Sequence, residues 1–180
     1  MNKRELLKIL RYCIEQFYSQ DSYLIDDIHK VHEQAIAYRI AHYFENICYL
    51  YNPSFYITHN FDVEYNKNLN DPKYIFNKCW KCQNIKCSCQ QYEAPQGSRP
   101  DFLIHKRGTN EQNKFIVEFK TGDSKQKDIQ YDVNKLKYFT CPEGEYKYLF
   151  GCFVYLKKNS YKIEIFEKGK KISLKIYDKK

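Results

Sequence analysis

Apolar positions near the start of the chain follow a helical period. Leu6, Ile9, Leu10, Cys13, Ile14 and Phe17 fall on one side of a helix predicted from Glu5 to about Phe17. A second helix is predicted from Asp27 to about Tyr49, with Ile28, Val31, Ile36, Ile40 and Phe44 as its apolar side and Asp26 or Asp27 as its cap. After Asn52-Pro53 the period shortens to two. In FYITHNFDVEY, Phe55, Ile57, Phe61, Val63 and Tyr65 alternate with other positions, which predicts a strand whose polar side carries Asp62 and Glu64 toward solvent. A polar, cysteine-rich loop follows over about 66–97.

The stretch RPDFLIHKRGTNEQNKFIVEFKTG predicts a β-hairpin with its turn near Thr109 and Asn110. Opposed residues in an antiparallel pair have numbers of constant sum. This turn gives 219, setting Phe102 against Val117, Ile104 against Phe115, and Asp101 against Glu118. Gly122-Asp123-Ser124 then breaks the strand and caps a helix striped by Ile129, Val133, Leu136 and Phe139, which Cys141-Pro142-Glu143-Gly144 stops. YLFGCFVYL is apolar on both faces, as a covered central strand should be. YKIEIFE and KISLKIYD, around Lys168-Gly169-Lys170, form a last hairpin. The expected fold is one α/β (α+β) domain over residues 1–180, a central mixed sheet with helices on its faces.

Composition adds little to the fold and something to the setting. The 180 residues carry a formal charge of +8, mostly from Lys, which favours polyanionic partners, although a Lys-, Asn- and Tyr-rich composition also arises from coding bias. The charged start lacks a signal-peptide core, and no apolar run nears the ~18 residues a bilayer requires. A cytosolic protein with no membrane partner is expected, with its eight cysteines mostly reduced.

The hairpin poses a chemical question, because Asp101, Glu118 and Lys120 share one face. Two carboxylates on opposed positions, with Cβ atoms roughly 5 Å apart, repel unless something positive lies between them. A divalent cation with oxygen ligands meets that need, and Lys120 beside it could neutralise charge on a phosphate. The alternative is a solvated ion pair. Glu33 adds a third acid, sharing its helical stripe with Ile36, Ala37, Ile40 and Phe44, where burial without a partner is costly. His29 and His32 read as surface residues, and His105 lies too far along its strand from Asp101 to join a metal's immediate ligands.

Glu33, then Pro100-Asp101, sixteen intervening residues and Glu118-Phe119-Lys120 resemble the PD-(D/E)XK nuclease superfamily, the restriction-endonuclease-like fold, over about residues 27–156. The resemblance implies an αβββαβ core and a metal-dependent nuclease acting on DNA in preference to RNA. It implies Mg²⁺ or Mn²⁺ held by Asp101, Glu118, the Phe119 carbonyl and Glu33, with Lys120 activating or orienting water. Gln130 or Lys135 would touch substrate, although the Gln-x₃-Tyr pattern of one exonuclease branch is absent, Asn134 following Gln130 at that spacing. Cutting both strands of a duplex suits a homodimer. A catalytically inactive nucleic-acid or protein binding module is the alternative.

CWKCQNIKCSC places Cys79, Cys82, Cys87 and Cys89 as a tetrahedral S₄ set suited to structural Zn²⁺, with an iron–sulfur cluster or unliganded thiols as alternatives. Trp80, Lys81 and Lys86 in that loop would contact nucleic acid. Cys13, Cys48, Cys141 and Cys152 fit a core.

Overall fold

A computed structural model describes residues 1–25, 32–69, 71–75, 96–122 and 124–178. The chain opens with α1 (Lys3–Gln20), started by a capping box in which the Asn2 side chain accepts from the Glu5 N–H and the Glu5 carboxylate accepts from the Asn2 N–H. A 3₁₀ turn (Ser22–Ile25) follows, then α2 (Glu33–Tyr51). His32 has extended backbone angles and is the N-cap, so α2 begins six residues later than Asp27. The expected cap at Asp26 or Asp27, and His29, lie outside the described residues.

The predicted strand from Phe55 is corrected. Residues Pro53–Thr58 form a short helix, α3, and only Asn60–Val63 form strand β1. Asn52 caps α3 by accepting from the Phe55 N–H, and Pro53 occupies the first turn, where its missing donor costs nothing. Four two-residue strands follow: β2 (Lys67–Asn68) pairs with β3 (Asp71–Pro72), and β4 (Tyr74–Ile75) with β5 (Gln96–Gly97). The four clustered cysteines, Trp80, Lys81 and Lys86 lie outside the described residues.

Strands β6 (Phe102–His105) and β7 (Phe115–Thr121) form the hairpin in the expected register, with Phe102 opposite Val117 and Ile104 opposite Phe115. Helix α4 (Gln126–Phe139) leads to β8 (Phe150–Lys157), β9 (Ser160–Glu167) and β10 (Lys170–Asp178). Lys125, without a side-chain bond, is the N-cap of α4 in place of the expected Ser124, which is drawn off to another partner. Lys168 and Gly169 take positive φ of 48° and 72°, the left-handed pair that a tight β-hairpin requires.

The six-stranded sheet runs β1-β6-β7-β8-β9-β10, with β7 and β8 parallel and the other neighbours antiparallel. Helices α1 and α2 cover one face, burying Leu10, Ile14, Phe17, Ile40 and Phe44 against Phe102, Phe115, Val117 and Phe119. On the other face, α4 packs Leu136 and Phe139 over Leu103, Ile116 and Phe153. Coverage of both faces explains why β8 is apolar throughout, as expected of a central strand. Cys13, Cys48 and Cys152 are buried in the core, whereas Cys141 is half-buried beside Glu143. No helix among the described residues is long and apolar enough to cross a membrane.

Candidate active site

Four elements bring the charged residues together. Asp101 precedes β6, Glu118 and Lys120 lie on β7, Glu33 is the first residue of α2, and Asp132 and Lys135 stand on α4. Side chains alternate along a strand, so Glu118 and Lys120 project to the face that α4 covers. Asp132 and Lys135, three apart on the helix, are placed to receive them.

The network is continuous. Lys120 Nζ lies 2.7 Å from Glu33 Oε2 and 2.9 Å from Asp132 Oδ2. Lys135 Nζ lies 2.9 Å from Asp132 Oδ1 and 2.8 Å from Glu118 Oε2. The other Glu33 oxygen accepts from the Ser124 hydroxyl at 2.7 Å and the Thr121 N–H at 3.2 Å. Asp101 Oδ2 accepts from the Phe119 N–H at 2.7 Å. Because the N–H and C=O of one strand residue point to the same edge, the Phe119 carbonyl also opens toward Asp101.

Burial sets the charge states. Glu118 is 1 % exposed, and burial pushes its carboxyl well above the usual range despite the Lys135 ammonium beside it; its Oε1 is buried with no hydrogen-bond partner. Burial likewise pushes Asp101 up to about 6, against the pull of Lys135 and the Phe119 N–H. Desolvation alone would lower both lysines, but the surrounding carboxylates outweigh it and hold Lys120 and Lys135 above the usual lysine value. Counted as fully ionised, four carboxylates (Glu33, Asp101, Glu118 and Asp132) outnumber two ammonium groups by two, an excess that the upward shifts of Glu118 and Asp101 act against.

The network borders a cleft of about 750 Å³ lined by His32, Glu33, Gln34, Glu64, Asp101, Lys120, Thr121, Ser124, Lys125 and Asp128. Gln34 donates to Glu64 at 2.6 Å within this lining. Asp101 and Glu118 fit a hard divalent cation: both are carboxylates, one oxygen of Glu118 is orphaned, and carboxyl groups outnumber ammonium groups in the cluster. Glu33 fits less well, since both of its oxygens are engaged. Among the described residues, no group of three His, Cys, Asp or Glu is gathered as a metal centre would need.

The sequence-predicted residues Glu33, Asp101, Glu118 and Lys120 are thus brought together. Lys135 is 5 % exposed and inside the network, while Gln130 is exposed and bonded to Asn134. Two members escaped the sequence reading, Asp132 and Ser124. Asp132 left a signal: with Lys135, Leu136 and Phe139 it sits at helical spacing, a charge on a buried stripe. Asp62 is corrected from a solvated position. It is 7 % exposed and accepts from Arg107, with His105 Nε2 at 2.8 Å, so His105 serves a separate buried pair. Compared with protein-family models, curated proteins and solved structures, the chain matches none.

Proposed function

We propose that the chain is a metal-dependent nuclease, hydrolysing phosphodiester bonds in DNA in preference to RNA. The observation that carries this reading is a cluster of four carboxylates around two ammonium groups beside a cleft, with one Glu118 oxygen unpartnered. Asp101 and Glu118 would hold Mg²⁺ or Mn²⁺, assisted by the Phe119 carbonyl. When bound, such an ion supplies Lewis acidity and a more acidic water. Lys120 keeps a cation at the cleft wall, where charge develops on a phosphate undergoing attack, and Glu33 and Asp132 hold that ammonium in place. With α3 and the two-residue strands β2–β5 set aside as insertions, the order α2-β1-β6-β7-α4-β8, in which a helix precedes three strands and another helix leads to the parallel strand, supports the nuclease-like reading.

Structural Zn²⁺ on Cys79, Cys82, Cys87 and Cys89 belongs to the same proposal, in a cytosolic setting that keeps the thiols reduced. Metal analysis is expected to find one zinc per chain, lost when Cys82 and Cys87 are replaced by Ser.

A second reading has its own support. Lys120 and Lys135 are already spent on the carboxylates, which favours a nuclease-like binding module without catalysis. Incubation of plasmid, single-stranded DNA and RNA with Mg²⁺ or Mn²⁺ separates the two. The nuclease cuts, and Asp101→Ala and Lys120→Ala do not. Binding without cleavage under either metal supports the module.

A further inference from the structure

The sheet ends on β10, and among the described residues no strand pairs with its outer edge. Nine residues therefore leave a row of main-chain donors and acceptors open to another strand. Leu174 and Ile176 stand opposite Glu164 and Lys162 of β9, which in turn stand opposite Phe153 and Tyr155 of β8. Ile172 is 48 % exposed, Leu174 48 % and Ile176 68 %, so three large apolar side chains recur along an open edge. Lysines and a bulge at Lys171–Ser173 protect that edge only in part.

The apolar positions of β10, Ile172, Leu174 and Ile176, match themselves when the strand is reversed about Leu174. Antiparallel pairing of two copies there sets Leu174 against Leu174 and Ser173 against Lys175, and brings Ile172, at the bulge, toward Ile176. Lys170 and Lys171 at one end approach Tyr177 and Asp178 at the other. Registers shifted by one or two fit less well. A shift of the sum by one sets Lys175 against Ile172 or against Leu174. A shift by two sets Lys175 against Lys171 or against itself, and like charges directly opposed are destabilising.

We propose that β10 is the surface through which two copies of this chain associate, antiparallel about a twofold axis at Leu174, joining two six-stranded sheets into one. Self-complementarity in both apolar and charged positions is what an isologous interface demands. The interface uses no residue of the cleft, so it stands or falls apart from the nuclease reading.

Sedimentation and light scattering of the full chain, across micromolar concentrations, test it. Wild type is expected at twice the 21.9 kDa of one chain. Leu174→Lys, placing like charges on the axis, is expected at one chain's mass with an unchanged circular dichroism spectrum. Ile57→Lys, on α3 at a 79 % exposed position, is expected to stay paired. Where Leu174→Lys folds poorly, Leu174→Cys decides: mild oxidation is expected to give a two-chain species, and Ile57→Cys none above the wild-type background. A wild-type mass of one chain, a mass beyond two, a pair that survives Leu174→Lys, or equal cross-linking of both cysteine variants overturns the proposal.

Discussion

Lys120 Nζ stands 2.7 Å from Glu33 Oε2, tying strand β7 to the first turn of a helix 87 residues earlier in the chain. Glu33 is about a third exposed, so solvent screens the pair, and Glu33→Gln is expected to lower stability in urea by only about 1 kcal/mol. Lys120→Met is expected to cost more, about 2–3 kcal/mol, because Asp132 is 4 % exposed and loses one of its two ammonium partners. Equal losses would place the anchoring of Lys120 elsewhere.

The Lys135–Glu118 pair is deeper. Removing the ammonium in Lys135→Met strands Glu118 at 1 % exposure, and a loss of about 3–5 kcal/mol is expected. Glu118→Met with Lys135→Met is expected to cost about 1–3 kcal/mol less than the two single changes added together. Additive denaturation midpoints would deny the coupling.

Gly151 of β8 lies under α4, and a Cβ there would meet Leu136 Cδ2 at 2.9 Å and Ile116 Cγ2 at 3.0 Å. Gly151→Ala is expected to destabilise by about 1–3 kcal/mol through overpacking, with the helix pushed from the sheet. A melting temperature equal to wild type would mean that α4 yields freely.

Lys73 supplies a pH signature. It is 2 % exposed, with its ammonium donating to the Lys67 carbonyl and lying 4.4 Å over the Tyr65 ring, and burial brings it down to about 8. The unfolded chain keeps that proton to about 10.5, so between these values the unfolded state binds more protons and stability rises with pH. Below pH 8 the burial penalty is fully present. Unfolding followed from pH 7 to 10 is expected to show this rise in wild type relative to Lys73→Met; parallel profiles would refute it.

Much of the sheet was legible because its register is written in matched apolar pairs. Phe102 with Val117 and Ile104 with Phe115 leave one pairing that keeps both on the same face, and the hairpin adopts it. The segment from Pro53 was not, because Phe55 and Ile57 satisfy a period of two, whereas in the helix that forms they fall on opposite sides. Asn52-Pro53, a cap followed by a residue suited to the first turn, was the better signal. Phe55 still reaches the core, its ring 6.2 Å from Phe61, whereas Ile57 is 79 % exposed, so the helix keeps one of the two expected apolar contacts.

The site was legible in its strand members and less so in its helical ones. Glu118 and Lys120 are fixed by alternation along β7, a strict geometric rule, and Asp101, one residue before β6, follows from the register of the hairpin. Asp132 depends on how α4 is rotated over the sheet, which Leu136, Phe139 and the close approach at Gly151 decide together. Ser124 matched the residue type of a helix cap, and only the folded position of Glu33 diverts it.

The parallel pairing of β7 with β8 has a consequence for the order of assembly. Strand, helix and strand from Phe115 to Lys157 form one contiguous unit, so Glu118, Asp132 and Lys135 can meet after a short loop closure. Glu33 reaches Lys120 only once the amino-terminal half has docked, and contacts so distant along the chain form late and slowly. The joining of Glu33 to Lys120 then completes the series of charges, and a chain halted before that docking would leave bare the sheet face that α1 and α2 cover and lack one wall of its cleft.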